Sequence, residues 1–185
     1  MLRFIVALLC AVLLVLFGLP VVGVLVLYQK VNKEKADRAI YSVIQHMFRV
    51  LIKICGVKLT VQGKENIPTD TPVLFIGNHL SVFDIVITYA ITPHITGYIA
   101  KDTLRKIPVF NWYMKLTYCL FLDRNDLRQG LQTINTAIDY VKDGKSICIF
   151  PEGTRSKDGQ MGQFKRGAFQ IAFDMQLPVV PVSLS

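Results

Sequence analysis

His79 and Asp84 stand five residues apart, between a short apolar run, Val73 to Ile76, and a helical pattern, Ser81 to Ile91. If the turn between them folds back, the carboxylate accepts the ring N–H, fixes the tautomer and stabilises the imidazolium. The second ring nitrogen is then left to take a proton from a hydroxyl. General-base work of this kind is worth about 10²- to 10⁴-fold in rate. A histidine and an aspartate at this distance are also a common structural pair. His46, on an amphipathic pattern, and His94, beside Pro93, read as surface residues.

Basic residues follow other apolar runs. Arg124 comes after Cys119 to Leu122, Arg155 after Ser146 to Phe150, and Lys165 and Arg166 open the next helical stretch. Guanidinium and ammonium groups that converge beside a helix N-terminus suit a phosphate, with arginine giving bidentate contacts. The competing reading is solvated surface charge. Glu152, in Pro151-Glu152-Gly153-Thr154-Arg155-Ser156, fits a second acid, a hydroxyl acceptor or a brace for neighbouring arginines. Gly153 permits a tight backbone turn.

The elements that must position these side chains alternate along the chain. Val57 to Val61 alternates like an edge strand, and Val73 to Ile76, Thr96 to Ala100, Cys119 to Leu122, Ser146 to Phe150 and Val179 to Ser183 read as further strands. Helical patterns cover Ser81 to Ile91, Lys101 to Ile107, Phe110 to Leu116, Leu127 to Lys142 and Arg166 to Met175, with Asp126 as N-cap and Gly144 past the end of the fourth. The alternation predicts an α/β domain, a mostly parallel or mixed sheet flanked by helices. In such sheets, sites form outside the carboxyl ends of the strands, where the turns above fall.

Composition adds a membrane. The chain has 185 residues, 52 % hydrophobic and 18 % charged. That excludes a disordered chain and exceeds the apolar content of an ordinary soluble domain. Phe4 to Tyr28 is an uncharged, almost wholly apolar run, roughly 37 Å long as a helix and enough to cross a hydrocarbon core of about 30 Å. Pro20 allows either a kinked span or a re-entrant hairpin. Lys30, Lys33, Lys35 and Arg38 follow the segment against Arg3 alone before it, so the positive-inside rule puts the remainder on the cytoplasmic face of the cell membrane. Ile40, Val43, Ile44, Met47, Phe48, Leu51 and Ile54 form the apolar face of a helix ended by Gly56, either packed on the domain or lying in the membrane interface. The expected organisation is an anchor over 1–30, an amphipathic helix over 31–56 and a catalytic domain over 57–185. Cys10, Cys55, Cys119 and Cys148 sit in apolar surroundings without metal or disulfide spacing. The net charge of +8 calls for an anionic partner. Beside a membrane segment that partner is anionic phospholipid, and the motifs of nucleic-acid binding are missing.

Read together, Asn78-His79 with Asp84 resembles the His-x4-Asp motif of the PlsC-type glycerolipid acyltransferases. Phe121-Leu122-Asp123-Arg124 resembles their second motif, Phe150-Pro151-Glu152-Gly153-Thr154-Arg155-Ser156 the third and Val180-Pro181-Val182 the fourth. Within that family the chain is similar to the 1-acyl-sn-glycerol-3-phosphate acyltransferases. The resemblance implies transfer of an acyl chain from a thioester, acyl-CoA or acyl-carrier protein, to the 2-hydroxyl of lysophosphatidate, with no cofactor or metal. It implies His79 as general base, Asp84 as its orienting partner, and Arg124, Glu152, Gly153, Thr154, Arg155 and Lys165 as substrate-binding positions. Tyr118 stands where many members carry glycine. Members also continue past the fourth motif, so the resemblance implies a catalytic domain cut short at its C-terminal end. Other acceptors, glycerol 3-phosphate or another lysophospholipid, stay open, as do a hydrolase using Ser81 or Ser156 and a noncatalytic lipid-binding protein.

Overall fold

A computed structural model of the chain describes residues 2–123 and 126–185, and side chains apart from those of residues 2–5, 7 and 127. It divides into two compact units. Of the described residues, the first comprises those up to Lys64 with Ile85–Thr92, the second those of Glu65–Asp84 and from Pro93 on.

The first unit is helical. Helix α1, Leu2–Tyr28, continues without interruption through Pro20, so the apolar segment is a single rod and not a re-entrant hairpin. Its stretch Leu8–Tyr28 is long and apolar enough to cross a membrane. Helix α2, Lys33–Ile54, starts where Asn32 accepts the Lys35 N–H at 3.0 Å. Its buried face includes Ala36, Ile40, Tyr41 and Ile44, whereas Ile54, assigned to that face from spacing, is exposed and Ile52 is buried instead. The helix packs on α1. Two residues of its polar face have work to do. Gln45 donates to the Tyr89 and Thr92 carbonyls at 2.9 and 2.8 Å, and Arg49 to the Ala90 carbonyl at 3.0 Å. They satisfy the C-terminal carbonyls of helix α3, Phe83–Ile91, which a helix cannot satisfy by itself. Val57 to Val61 is no strand. Alternation reports which side chains meet apolar surroundings, but a strand also needs a neighbour to complete its ladder, and this segment joins none.

The second unit is a five-stranded parallel sheet. Strands β1 (Leu74–Gly77), β2 (Thr96–Lys101), β3 (Leu120–Leu122), β4 (Ser146–Ile149) and β5 (Val179–Val182) lie in the order β3-β2-β4-β1-β5. The mostly parallel α/β sheet expected from sequence is therefore present. Strands β1 and β4 are buried along their whole length, which explains their unbroken apolar runs. Pro181, with no N–H to give, sits on edge strand β5 opposite Ile76. On one face Leu74, Ile76, Ile147 and Ile149 pack with Ala137 and Val141 of helix α5, Leu127–Lys142, and with Ile171 of helix α6, Gln170–Met175. Asp126 caps α5 by accepting the Gln129 N–H at 3.0 Å. Gly144, at φ 78°, ends it, with the Lys145 N–H returning to the Tyr140 carbonyl. His94 is not a surface residue as expected: half-buried, its Nε2 pairs with the Pro68 carbonyl at 2.6 Å.

Tyr118 has φ 61°, the left-handed region that favours glycine. Its ring meets Tyr140 edge-on at 5.0 Å, and the Lys145 ammonium lies 4.8 Å from its centre. These contacts offset the strain of about 1–2 kcal/mol. Gly97 is required opposite it, because a Cβ there would lie 2.2 Å from the Tyr118 carbonyl oxygen. Tyr118→Gly is expected to be nearly neutral, exchanging ring contacts for relief of strain. Tyr118→Ala, which keeps the strain and loses the ring, should cost about 1–2 kcal/mol in equilibrium unfolding.

Burial pushes the Cys148 thiol in β4 up to about 12, with a hydrogen bond from Tyr98 only partly opposing. The thiol therefore stays protonated near neutral pH, and the thiolate is the reactive species. Maleimide is expected to spare Cys148 in the folded protein and to label it after denaturation, as peptide mass mapping would report.

Candidate active site

Strands β1 and β4 are neighbours, with Ile76 beside Ile149, so the turns that leave them meet at one sheet edge. The first turn carries His79. Its Nδ1 lies 2.8 Å from Asp84 Oδ2. The same oxygen accepts the N–H groups of Leu80 at 2.6 Å and Ser81 at 2.8 Å. A carboxylate in the first turn of a helix reaches back to the donors that precede it. Asp84 is thus buried and fixed by the backbone, and its grip on the imidazole is fixed with it. Because the carboxylate can only accept, the proton belongs on Nδ1, and Nε2 keeps its lone pair.

The β4 turn holds the histidine from the other side. Glu152, 7 % exposed, accepts the His79 N–H at 2.9 Å with one oxygen and the Gly162 N–H at 2.9 Å with the other. The Ser156 N–H donates to the His79 carbonyl at 2.8 Å. Of the three sequence readings of Glu152, bracing is the one its contacts match, and among the described residues what it braces is backbone. The Phe150 ring stacks on the imidazole, centroids 4.3 Å apart and planes 19° apart. Gly77 makes room for that ring: a Cβ there would be 3.3 Å from Phe150 and 3.3 Å from the Val182 carbonyl. Asn78 exchanges two hydrogen bonds, both 2.8 Å, with the backbone of Leu184, tying the segment after β5 to the same turn.

Beside Phe150 opens a cavity of about 520 Å³. Ile99, Leu122, Ile134, Ile149 and Ile171 give it apolar walls, and Gly153 and Lys165 stand in its lining. Gly153, at φ 72°, is the tight turn expected, and a Cβ on it would meet the Lys165 side chain at 3.2 Å. The Lys165 N–H bonds the Pro151 carbonyl at 3.0 Å, which seats the lysine against the β4 turn. Thr154 and Arg155 are exposed in that turn. Arg124 lies outside the described residues.

Chemically, this edge offers a histidine with one nitrogen fixed and the other able to accept a proton. Phe150, stacked on that ring, lines an apolar cavity whose wall also holds Lys165. Neither serine hydroxyl is hydrogen-bonded to a histidine ring among the described residues. Ser81 Oγ accepts the Phe83 N–H at 2.9 Å, and Ser156 Oγ donates to Asp158 at 3.1 Å. Sequence reasoning gave no role to Phe150 or to the Asn78 clamp. Both lie in the motifs, but ring stacking and main-chain pairing leave no pattern in residue type. The Gly162 N–H had no sequence signal at all.

The sequence matches the acyltransferase family over residues 58–185, and the chain belongs to that family. It is 41 % identical over 128 residues to a chloroplastic 1-acyl-sn-glycerol-3-phosphate acyltransferase of Brassica napus, covering 69 % of this chain and 37 % of that one. It is 35 % identical over 141 residues to the 1-acyl-sn-glycerol-3-phosphate acyltransferase of Saccharomyces cerevisiae, covering 75 % and 46 %. The crystal structure of PlsC, the 1-acyl-sn-glycerophosphate acyltransferase of Thermotoga maritima, superposes with a TM-score of 0.73 at 29 % identity, covering 96 % of this chain and 73 % of that one. The chain thus spans less than half the length of the two curated relatives named.

Proposed function

We propose that this chain carries the domain that transfers a fatty acyl group from acyl-CoA or acyl-carrier protein to the 2-hydroxyl of 1-acyl-sn-glycerol 3-phosphate, forming phosphatidate. The observation that carries the reading is the 2.8 Å contact of His79 with Asp84, with Phe150 stacked on the imidazole and lining an apolar cavity, at the edge where parallel sheets place their sites. The acceptor hydroxyl gives its proton to His79 Nε2 as its oxygen attacks the thioester carbonyl. The tetrahedral intermediate then expels the thiolate, which takes the proton from the imidazolium. Asp84 stabilises the imidazolium between the two transfers. Glu152, Ser156 and Phe150 keep the ring in place, so that reacting atoms meet without a search. Lys165 and Arg155 are the candidate phosphate contacts, joined by Arg124 on the strength of its motif. Helix α1 holds the domain at the bilayer, and the basic residues that follow it favour the cytoplasmic face.

The acceptor is tested by supplying membranes that contain the chain with labelled acyl thioester and lysophosphatidate, glycerol 3-phosphate or lysophosphatidylcholine. Label is expected chiefly in phosphatidate. Preference for glycerol 3-phosphate would overturn the acceptor and leave acyl transfer standing. Lys165→Ala should raise KM for lysophosphatidate about 10- to 100-fold with little change in kcat, the effect of losing a charge-assisted contact of about 1.5–3 kcal/mol. An unchanged KM would remove Lys165 from the phosphate site.

A further inference from the structure

Strand β2 ends at the same sheet edge as β1 and β4, and the chain leaves it into a 3-10 turn, Asp102–Lys106, and helix α4, Pro108–Leu116. Arg105, Lys106, Ile107, Pro108, Val109 and Phe110 are all exposed, Ile107 by 49 % and Phe110 by 41 %. The turn is held and not loose. Asn111 Nδ2 donates to the Arg105 carbonyl at 2.9 Å, and the Asn111 N–H to the Ile107 carbonyl at 2.8 Å. Apolar residues kept in water by a fixed backbone mark a surface that meets something apolar.

We propose that this segment is a second membrane contact, separate in the chain from α1, which seats the second unit on anionic lipid. Charge argues for that occupant. Exposed Lys101, Lys106 and Lys115 flank the apolar residues, with Arg105 among them ion-paired to Asp102 at 3.1 Å, and the cytoplasmic leaflet is negative. Composition argues likewise: Val109 and Phe110 open the helix and Trp112 follows two residues later, the mixture of apolar, aromatic and basic side chains found at membrane interfaces. Location adds the third reason. The patch begins at the edge that carries His79, so docking would turn that edge toward the bilayer. The inference needs no particular acceptor and goes beyond the reaction proposed above.

Trp112 is the sole tryptophan, so its emission reports on this segment alone. The full chain is reconstituted in phosphatidylcholine–phosphatidylglycerol vesicles with plain or brominated acyl chains, and emission is compared. Bromine is expected to quench Trp112 strongly in the wild type. Quenching should fall in Ile107→Ser with Phe110→Ser, and in Lys106→Glu, but persist in Lys106→Arg. Each basic charge removed should lower the ratio of docked to undocked segment about fivefold. Because α1 retains every variant in the vesicle, lost quenching reads local docking, and circular dichroism checks the fold. Equal emission with plain and brominated lipid, or quenching indifferent to these substitutions, would overturn the proposal. So would an emission change that follows protein density and ignores bromine, since that outcome assigns the patch to a second copy of the chain.

Discussion

Replacing His79 with alanine is expected to lower kcat for acyl transfer by about 10²- to 10⁴-fold, the range that general-base catalysis supplies. The alcohol is a poor nucleophile until its proton is taken, whereas the thioester is already activated. KM for the acceptor should change little, because in the proposed reaction the imidazole acts on one proton and does not hold the phosphate. Asp84→Asn is expected to fall in the same range. It keeps the size of the side chain and removes the charge that fixes the proton on Nδ1. An asparagine amide can turn its NH₂ toward the ring and leave the wrong tautomer. Asp84 also accepts the Leu80 and Ser81 N–H groups, so some stability goes with it. The double variant should be little worse than His79→Ala alone, since Asp84 acts through the ring it orients. Additive losses would mean that the carboxylate has a separate task.

Glu152→Gln is the second large effect. Two backbone N–H groups, of His79 and Gly162, point at the two oxygens of this buried carboxylate. Glutamine has one acceptor oxygen, and its NH₂ must face the other N–H. The expected cost is about 2–4 kcal/mol, from a lost charge-assisted bond and a buried donor left unpaired. Because one of those donors belongs to His79, activity should fall by more than the loss of folded protein explains. Thermal unfolding measured beside kcat, on equal amounts of folded enzyme, separates the two. Glu152→Asp keeps the charge but is shorter, and should recover part of the stability. If Glu152→Gln matched the wild type in both measurements, the bracing role would fail.

Much of this was legible in residue order. The short apolar-rich runs Val73 to Ile76 and Ser146 to Phe150 gave away the buried strands observed at Leu74–Gly77 and Ser146–Ile149, and parallel alternation forces the turns after them to one edge. Asp126 and Gly144 marked the ends of α5 because capping depends on side-chain chemistry that a sequence displays. Val57 to Val61 misled because alternation does not report whether a neighbouring strand exists. His94 misled because its partner is a backbone carbonyl distant in the chain. Gln45 and Arg49 lie off the apolar stripe of α2, yet they cap α3, which only packing could reveal. Glu152 shows the same limit at the site: its residue type announced a role, and its partners are main-chain groups that every sequence contains.

The central claim is that His79, held by Asp84, activates the acceptor hydroxyl. It is tested most directly by following a labelled acyl thioester in membranes that contain either the wild-type chain or His79→Ala, with lysophosphatidate present. The wild type should move the label into phosphatidate, and His79→Ala should leave it in the thioester. Undiminished transfer by His79→Ala, or label released by the wild type only as free fatty acid, would contradict the account.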